Sequence, residues 1–453
     1  MKYVNSILEL IGRTPLVKLQ KVTEGIEATV LVKLESRNPG GSIKDRIGIA
    51  MIEAAERDGK IKPGGLIIEA TSGNNGIGVS LAAKQKGYNT LFVTTDKASQ
   101  ERVRYLKALG AEVVICSAAA KANTPEYYVN TAMRLAEEIP NSFMLNQYDN
   151  PANRDAHTRS TGPEIWEDTE GKLTHFVAGI GTGGTITGTA RYLKQENPNI
   201  KVIAADPVGS CVKVYKDTGR IIEALPYLIE GVGQDRIPAN LDLSLIDDVM
   251  NITDKEAFMM ARRLGREEGI FCGGSSGMNV TAALRVAKLL PKDAVVVTII
   301  CDTGERYLTK HHSDEWLQEK QFLDSDRINI KMVLAKKNAN SNVPAFVSVT
   351  PNDTVEHALS LMNSYELSQL PVVEHDTVVG NIKENKLMAS VIERRDALQD
   401  AVSTQSEQAV ATIDSHQEVQ KAITMLKENT YVVVTEFGKN IGILTRHDVL
   451  DYL

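Results

Sequence analysis

The sequence is poor in cysteine and in aromatic residues. Its 453 residues contain four cysteines, Cys116, Cys211, Cys272 and Cys301, and aromatic side chains make up 5% of the chain. None of the cysteines belongs to a Cys-x-x-Cys pair or to a zinc-type spacing. The sequence therefore predicts neither a disulfide framework nor a metal site, and it agrees with a reducing cytoplasm.

Long apolar runs and an excess of basic residues are also missing. No stretch approaches the roughly 20 apolar residues of a membrane-spanning helix, and residues 1–10 are too polar for a signal peptide. Lysine and arginine number 51 against 58 aspartates and glutamates, a formal charge of −7. A binder of nucleic acid or of anionic membranes would carry a basic surface. We expect a soluble, cytoplasmic protein whose partners are small molecules and a second copy of itself, with no nucleic acid and no membrane.

Short apolar runs alternate with helical patterns in the first two thirds of the chain. Leu66-Ile67-Ile68 predicts a buried strand, and it is followed by a turn and by a helix that ends at Gly87. The same order recurs around Gly181, and residues 295–300 predict a last strand. This alternation predicts an α/β fold with a mostly parallel sheet.

The character of the sequence changes near residue 323. Residues 323–342 are polar and rich in turn formers, which predicts a linker with a short extended piece. Beyond it, the pattern of residues 355–362 recurs 64 residues later, and each copy predicts a helix, a strand, a turn, a strand and a helix. We therefore predict a domain at 1–322 and a duplicated α+β unit at 343–453, with copies at about 343–395 and 407–453.

Lys44 opens the first strong helical pattern. The positive end of a helix dipole and burial both favour the neutral form of a lysine at this position. A neutral amine is what a Schiff base requires. Taken alone, the segment fits an ordinary first-turn lysine better.

Three glycine-rich loops lie at predicted strand-to-helix turns. In residues 72–76, helix-start N–H groups and Asn74 can bind a phenolate or carboxylate oxygen, although a capped tight turn is an equal alternative. Residues 181–185 combine flexible backbone with two hydroxyls and predict a phosphate cradle. They match neither a Walker loop nor a clean dinucleotide fingerprint, which favours a bound phosphate cofactor over phosphoryl transfer. In residues 272–277, Ser275 can share one neutral hydrogen bond with a ring nitrogen.

Together these elements resemble the fold type II pyridoxal phosphate enzymes, and within them the cystathionine β-synthases and cysteine synthases. The resemblance runs from about Ile7 to Phe322 and implies a two-lobed α/β fold with pyridoxal 5'-phosphate as cofactor. The cofactor-binding residues that it implies are Lys44, Asn74, Gly181, Thr182, Gly183, Gly184, Thr185 and Ser275. The substrate-binding residues that it implies are Thr71, Ser72, Asn75, Gln147, Tyr148, Glu230 and Gly231.

The resemblance also implies the reaction. Lys44 would hold the cofactor and remove the α-proton, so that serine and homocysteine give cystathionine by β-replacement. The same site could release hydrogen sulfide from cysteine. Lys97 and Glu230 are candidate groups near the leaving group, and solvated loop charges are an equal interpretation. Asn75 stands where the family usually has threonine, and Gln234 stands where its eukaryotic cystathionine synthases tend to have tyrosine. The sequence has no counterpart of the eukaryotic haem segment, so no haem is expected.

Two alternatives stay open at this point. One is a cysteine synthase that uses O-acetylserine and sulfide. The other, of a different class, is a sensor of adenosyl ligands whose catalytic domain is silent. His157 is interpreted as a helix-surface or packing residue rather than as an acid–base group.

The C-terminal repeat resembles a tandem CBS-domain pair, or Bateman module, which typical cysteine synthases lack. The resemblance favours the cystathionine synthases, a homodimer and an adenosyl ligand, with S-adenosylmethionine as the first to try. It places the regulatory ligand at Thr445 and Asp448 in the second copy, whereas Lys383 and Lys386 stand at the matching positions of the first. We expect at most one usable site, and a purely structural module is an equal alternative.

Overall fold

The computed structural model describes residues 1–453 except residues 2, 72, 97, 122–123, 324–327, 340–342 and 453. The chain divides into two units, residues 1–312 and residues 313–453. Within the described residues, no helix has the length and apolar content needed to cross a membrane.

The first unit contains ten strands and ten α-helices among its described residues. The strands are β1 (Leu16–Lys18), β2 (Thr29–Leu34), β3 (Leu66–Ala70), β4 (Asn89–Thr95), β5 (Glu112–Cys116), β6 (Ser142–Met144), β7 (His175–Gly179), β8 (Lys201–Pro207), β9 (Asp248–Ile252) and β10 (Val295–Ile300). The helices are α1 (Lys44–Arg57), α2 (Asn74–Lys86), α3 (Gln100–Ala108), α4 (Tyr128–Glu138), α5 (Pro151–Arg159), α6 (Thr161–Asp168), α7 (Gly184–Glu196), α8 (Val212–Thr218), α9 (Asp254–Arg263) and α10 (Gly274–Ala287).

These strands form two sheets. The larger has the order β1-β2-β10-β7-β8-β9 and the smaller the order β5-β4-β3-β6. Neighbouring strands run parallel except for β1 and β2, which are antiparallel. The predicted α/β fold class is therefore confirmed, and the two sheets correspond to its two lobes.

Helices cover the sheets, so the central strands are buried on both faces. In the larger sheet, β7, β8 and β10 place Phe176, Val202 and Val297 in one apolar core. In the smaller sheet, β3 and β4 place Ile67 and Phe92 in another. Strands buried on both faces read as continuous apolar runs, which is why their positions were predictable.

The second unit contains the sequence repeat. Its elements are α11 (Asp314–Glu319), α12 (Ile330–Ala339), α13 (Val355–Tyr365), β11 (Gln369–Glu374), β12 (Thr377–Lys383), α14 (Glu384–Glu393), β13 (Thr412–Asp414), α15 (Val419–Glu428), β14 (Tyr431–Glu436) and β15 (Lys439–Thr445). The hairpins β11–β12 and β14–β15 carry a register shift at the same place in each copy. The second copy ends in a 3₁₀ segment, residues 447–452, where the repeat predicts an α-helix.

The predicted linker at 323–342 needs a correction. In place of an extended piece, residues 330–339 form α12, and Ile330, Val333 and Leu334 are buried in the core of the second copy. A Cβ atom placed on Gly442 would lie 2.5 Å from Leu334 Cδ1, so this helix packs directly on the backbone of β15. Of the polar residues that suggested a linker, Lys336, Lys337 and Asn338 lie at the exposed or partly exposed end of this helix, and residues 324–327 and 340–342 lie outside the described residues.

A carboxyl group is buried inside the smaller sheet. Glu69 on β3 is 1% exposed, and its Oε1 accepts a hydrogen bond from the Gln147 N–H at 3.3 Å. Its Oε2 makes no hydrogen bond within the described residues. Burial raises the pKa of Glu69 to about 8, and the backbone N–H groups of Gln147 and Asn146 oppose this only in part. Glu69 is therefore largely protonated at neutral pH.

The substitution Leu334→Ala tests the packing of α12. Because Leu334 is 4% exposed, its loss should cost about 2–5 kcal/mol of local stability. Native-state hydrogen exchange of the amides in β14 and β15 should accelerate accordingly. Ile392→Ala is the matched control, since Ile392 is 80% exposed and its change should stay within about 0.5 kcal/mol. Unchanged exchange in Leu334→Ala would contradict the packing.

The substitution Glu69→Gln tests the buried carboxyl. Between pH 4.5 and 8 the unfolded wild type loses this proton while the folded state keeps it, so folded wild type loses stability as pH rises, by up to about 5 kcal/mol. Glutamine stays neutral at every pH, so the variant does not lose this stability. Denaturant unfolding should therefore show the variant becoming more stable relative to wild type from pH 4.5 to pH 8. Glu112→Gln, at an exposed position on β5, should show no such trend. A wild-type minus Glu69→Gln difference that is flat with pH would refute the buried protonated state.

Candidate active site

A cavity of about 480 Å³ lies where the carboxyl ends of the strands of the first unit face helix starts. Most of the predicted site residues line it. They are Lys44, Thr71, Asn74, Asn75, Gln147, Tyr148, Gly181, Thr182, Gly183, Thr185, Glu230, Gly231 and Ser275. Gly184 is the first residue of α7, buried behind this lining. Ser72 and Lys97 lie outside the described residues.

Lys44 is the first residue of α1, and its backbone N–H donates to Ser42 Oγ at 3.2 Å. Burial lowers the pKa of the Lys44 amine, and the neighbouring side chains of Cys301 and Asp302 oppose this only in part. The helix dipole acts in the same direction as burial. The position therefore favours the neutral amine, as the sequence predicted.

A buried ion-pair network holds the first turn of α1. The guanidinium of Arg46 donates to both carboxylate oxygens of Glu35 at 2.7 and 2.8 Å. It also donates to both oxygens of Glu164 on α6, at 2.7 Å each. Lys33 on β2 approaches Glu164 at 3.0 Å. These bidentate contacts join α1, α6 and the end of β2.

The loop at residues 181–185 has the shape of an anion cradle. Gly183 has φ of +82°, a conformation that glycine adopts without strain. A Cβ atom on Gly181 would lie 2.4 Å from the Gly231 carbonyl oxygen, so a side chain there would force two cavity loops apart. The loop leads into the N-terminus of α7, and Thr182 and Thr185 add hydroxyls. Backbone N–H groups at a helix start with hydroxyl donors fit a phosphate group.

The two asparagines at the start of α2 differ in their contacts. Asn74 Nδ2 donates to Asp302 Oδ2 at 2.7 Å, and Asn74 Oδ1 accepts from Arg306. Asn75 is 3% exposed, and both polar atoms of its side chain lack hydrogen bonds to the described part of the chain. Buried polar atoms without partners are rare and often mark places where a ligand binds. Both polar atoms of the Asn75 side chain are therefore available to hydrogen-bond a ligand.

Ser275 lies in the first turn of α10, next to the cavity. The neighbouring Ser276 Oγ accepts the Cys301 N–H at 2.9 Å, which ties α10 to the end of β10. Burial raises the pKa of the Cys301 thiol to about 11. Cys301 therefore stays a neutral thiol beside the cavity, while Ser275 presents a neutral hydroxyl.

Charged groups cross the mouth of the cavity. Glu230 forms ion pairs with both Arg102 and Lys310. Arg102 also lies over the ring of Tyr307, 5.7 Å from its centre. These contacts hold Glu230 in one place and join α3 to the loop that contains it.

Several cavity residues were missed from the sequence. Arg102, Tyr227 and Tyr307 line the cavity, and Asp302 binds Asn74 from behind. Asp302 lies two residues after the end of β10. Because ligands in parallel sheets bind beyond the carboxyl ends of strands, this position could have identified Asp302 as a site residue. The others lie on loops whose approach depends on tertiary packing.

The residues predicted to bind a regulatory ligand are engaged with their own chain. Asp448 Oδ2 accepts from the Thr445 N–H at 2.7 Å, from Thr445 Oγ1 at 2.8 Å and from Lys337 Nζ at 2.9 Å. In the first copy, Lys383 and Lys386 both pair with Glu407. Lys386 and Asp448 therefore carry opposite charges at matching positions, and Lys383 matches the uncharged Thr445.

The donor set fits pyridoxal phosphate better than it fits a metal. A lysine of lowered pKa, a phosphate-type cradle, a neutral serine and an asparagine without a side-chain partner among the described residues surround one cavity. By contrast, the described chain contains no group of three or more His, Cys, Asp or Glu side chains that could hold a metal ion.

Comparisons with known proteins agree with this geometry. A family model described as pyridoxal-phosphate dependent enzyme matches residues 7–302, and one described as CBS domain matches residues 342–393 and 406–453. A cystathionine beta-synthase of Dictyostelium discoideum is 38% identical over 462 residues, covering 99% of this chain and 92% of that protein.

Two solved structures are similar to the first unit. An O-acetylserine dependent cystathionine beta-synthase from Helicobacter pylori is 39% identical with a TM-score of 0.62, covering 68% of this chain and 99% of its own. A hydrogen sulfide-producing enzyme from Fusobacterium nucleatum is 37% identical with a TM-score of 0.62, covering 68% and 100%. The chain belongs to the family of pyridoxal-phosphate dependent enzymes that includes the cystathionine beta-synthases, and it carries a pair of CBS domains.

Proposed function

We propose that this enzyme catalyses a β-replacement in which serine and homocysteine give cystathionine and water. One observation carries the proposal: Lys44, the loop at 181–185 and Ser275 line a single cavity together with the predicted substrate-binding residues. The similarity to cystathionine beta-synthases over nearly the whole chain supports this pair of substrates.

Each part of the cavity has a separate task toward the cofactor. Lys44 would bind pyridoxal phosphate covalently, residues 181–185 would hold its phosphate, and Ser275 would contact its ring nitrogen. When bound, the cofactor supplies an electron-accepting ring that stabilises negative charge at Cα of the amino acid. A neutral serine does not keep the ring nitrogen protonated as a carboxylate would, which favours rapid loss of the β-substituent.

The amino-acid substrate would be oriented by its carboxylate. The start of α2 offers backbone N–H groups, and Asn75 offers an amide that has no other partner within the described residues. Thr71 and Gln147 line the same side of the cavity, and Ser72 is part of the same proposed set. Asn74 lines the cavity and keeps a second Nδ2–H for the cofactor while the first donates to Asp302.

Serine requires a proton donor, because hydroxide is a poor leaving group. Lys44 Nζ, as a neutral amine, can take the α-proton and then holds the proton that the hydroxyl needs. Glu230 is held by two cations, so its proposed task is to orient groups at the β-position electrostatically. Gly231 and Tyr148 complete the wall beside it.

Two other reactions are compatible with this cavity. O-acetylserine carries a better leaving group than serine, and a sulfide nucleophile would make the enzyme a cysteine synthase. Cysteine in place of serine would release hydrogen sulfide. A silent catalytic unit that serves only a ligand sensor is disfavoured by the buried, neutral Lys44 beside an intact cradle.

Product analysis tests the substrate pair. Purified enzyme supplied with equal serine and O-acetylserine, plus homocysteine, should form cystathionine chiefly from isotope-labelled serine. Lys44→Ala should lose the yellow absorbance of the bound cofactor and at least roughly 10²–10⁴-fold in rate.

Two outcomes would contradict the proposal. Much faster turnover of O-acetylserine with sulfide would identify a cysteine synthase. A colourless wild-type protein that stays colourless with added pyridoxal phosphate would favour the sensor. Lys62→Ala, at an exposed position outside the cavity, is the control and should retain both colour and rate.

We also propose that the CBS-domain pair binds an adenosyl ligand, S-adenosylmethionine being the first to test, at Thr445 and Asp448. A carboxylate at this position can accept hydrogen bonds from ribose hydroxyls, whereas the lysines of the first copy cannot. Lys337 Nζ lies 2.9 Å from Asp448 Oδ2 and competes with a ribose hydroxyl for this oxygen. The ligand would therefore compete with α12.

Calorimetric titration with S-adenosylmethionine tests this site. Asp448→Ala should weaken binding at least tenfold, because hydrogen bonds to a charged group contribute about 1.5–3 kcal/mol. Lys337→Met should tighten binding, since it removes the competing cation. Lys386→Ala, in the first copy, is the matched control and should leave the affinity unchanged. Equal affinity in wild type and Asp448→Ala would remove the assignment.

We further propose that the enzyme is a cytoplasmic homodimer that works without haem. The four free cysteines support a reducing compartment. The division into a catalytic region at 1–322, a connecting segment at 323–342 and a regulatory region at 343–453 belongs to the same proposal.

A further inference from the structure

Helix α5 lies directly beneath the proposed phosphate cradle. Its backbone contacts α7 closely, because a Cβ atom on Gly188 would lie 2.0 Å from the Arg154 carbonyl oxygen and 2.8 Å from His157 Cβ. Two buried polar side chains, Asn153 and His157, stand one turn apart on α5 and are each 1% exposed. They point at the two hydroxyls of the cradle.

Asn153 determines what the Thr182 hydroxyl can do. Asn153 Nδ2 donates to Thr182 Oγ1 at 2.9 Å, and the Gly184 N–H donates to the same oxygen at 3.4 Å. A hydroxyl has two acceptor positions and one proton. Since both acceptor positions are filled, the Thr182 proton is left for the cavity.

His157 has the same relation to Thr185. His157 Nε2 lies 3.2 Å from Thr185 Oγ1, and its Nδ1 lies 2.9 Å from Thr161 Oγ1. Burial holds the pKa of His157 well below its usual range, and the positive charge of Arg46 acts in the same direction. The imidazole is therefore neutral, with a single N–H that can serve one of its two neighbours.

The placement of that proton decides the direction of the chain of hydrogen bonds. With the proton on Nε2, the histidine donates to Thr185 and accepts from Thr161, so the Thr185 proton is free for the cavity. With the proton on Nδ1, Thr185 must donate to the imidazole and can offer only lone pairs to a ligand. A phosphate accepts hydrogen bonds and is repelled by lone pairs.

We propose that His157 and Asn153 are positioning residues that keep the hydroxyls of Thr185 and Thr182 turned as hydrogen-bond donors toward the cofactor phosphate. This inference rests on the proposed function, in which residues 181–185 hold that phosphate. It replaces the interpretation of His157 as a helix-surface or simple packing residue.

Two substitutions of His157 separate positioning from packing. Glutamine carries an amide nitrogen at the same number of bonds from Cα as His157 Nε2, whereas asparagine reaches only as far as Nδ1. His157→Gln can donate to Thr185; His157→Asn can contact only Thr161. The apoenzyme of each variant is titrated with pyridoxal phosphate and with pyridoxal, which lacks the phosphate.

The positioning role predicts a loss that depends on the phosphate. His157→Asn should weaken pyridoxal phosphate about tenfold and pyridoxal less than about twofold, because one charge-assisted hydrogen bond is lost. His157→Gln should keep pyridoxal phosphate within about threefold of wild type. Equal losses for both ligands, equal losses in both variants, or no loss in His157→Asn would overturn the inference.

A measurement on the wild-type holoenzyme does not depend on whether the variants fold. The ¹⁵N spectrum of histidine-labelled holoenzyme should show His157 neutral with its proton on Nε2. A proton on Nδ1 would overturn the inference, because Thr185 would then donate to the imidazole.

Thr185→Val separates this inference from the function on which it rests. It should reduce the preference for pyridoxal phosphate over pyridoxal about tenfold, and adding His157→Asn should then cost nothing further. An unchanged preference in Thr185→Val would refute the phosphate cradle itself. If Thr185→Val reduces the preference for pyridoxal phosphate over pyridoxal and His157→Asn does not, only the positioning role would be refuted.

Discussion

The structure depends on the buried contact of Arg46 with Glu35 and Glu164. Two bidentate carboxylate pairs on one guanidinium fix the rotation and height of α1 relative to α6 and β2. Removing one partner of such a buried pair leaves an uncompensated charge, which costs about 3–5 kcal/mol. Lys44 lies two residues before Arg46, so the same contact that orders the helix also sets the direction in which the reactive amine points.

Electrostatics in the cavity comes mainly from helix ends. Helices α1, α2, α7 and α10 all begin at its edge, with Lys44, Asn74, Gly184 and Gly274 as their first residues. Four positive dipole ends favour the two anionic groups that the proposed reaction brings in, a phosphate and a substrate carboxylate. The same ends disfavour an ammonium at Lys44. The fold thus favours bound anions and lowers the pKa of Lys44, and Arg102, a cationic residue among the described lining residues, is paired with Glu230.

The sequence was informative wherever function depends on local backbone shape. The strands before Thr71 and Gly181, the glycine turns and the helices after them were predictable, since parallel α/β units put such turns at one edge of a sheet. Side chains that act through distant partners were not predictable. His157 and Asp302 acquire their roles only when α5 meets α7 and when β10 ends beside α2. The prediction of an extended piece inside the linker failed for a related reason: Lys336 and Lys337 suggested a solvated loop, while the apolar residues just before them determine a buried helix.

The two CBS-domain copies show how a duplicated fold can lose functional symmetry. Both copies keep the hairpin and its register shift, because these set the packing of the core. The positions proposed to contact the ligand instead differ in charge, since Lys383 and Lys386 pair with Glu407 in one copy, whereas the matching Thr445 is neutral and Asp448 pairs with Lys337 in the other. Each pair satisfies its own polar groups. A ligand at Asp448 must therefore replace the hydrogen bonds that it displaces, and Lys337 is part of α12, so binding there is necessarily linked to the helix that leads into the repeat.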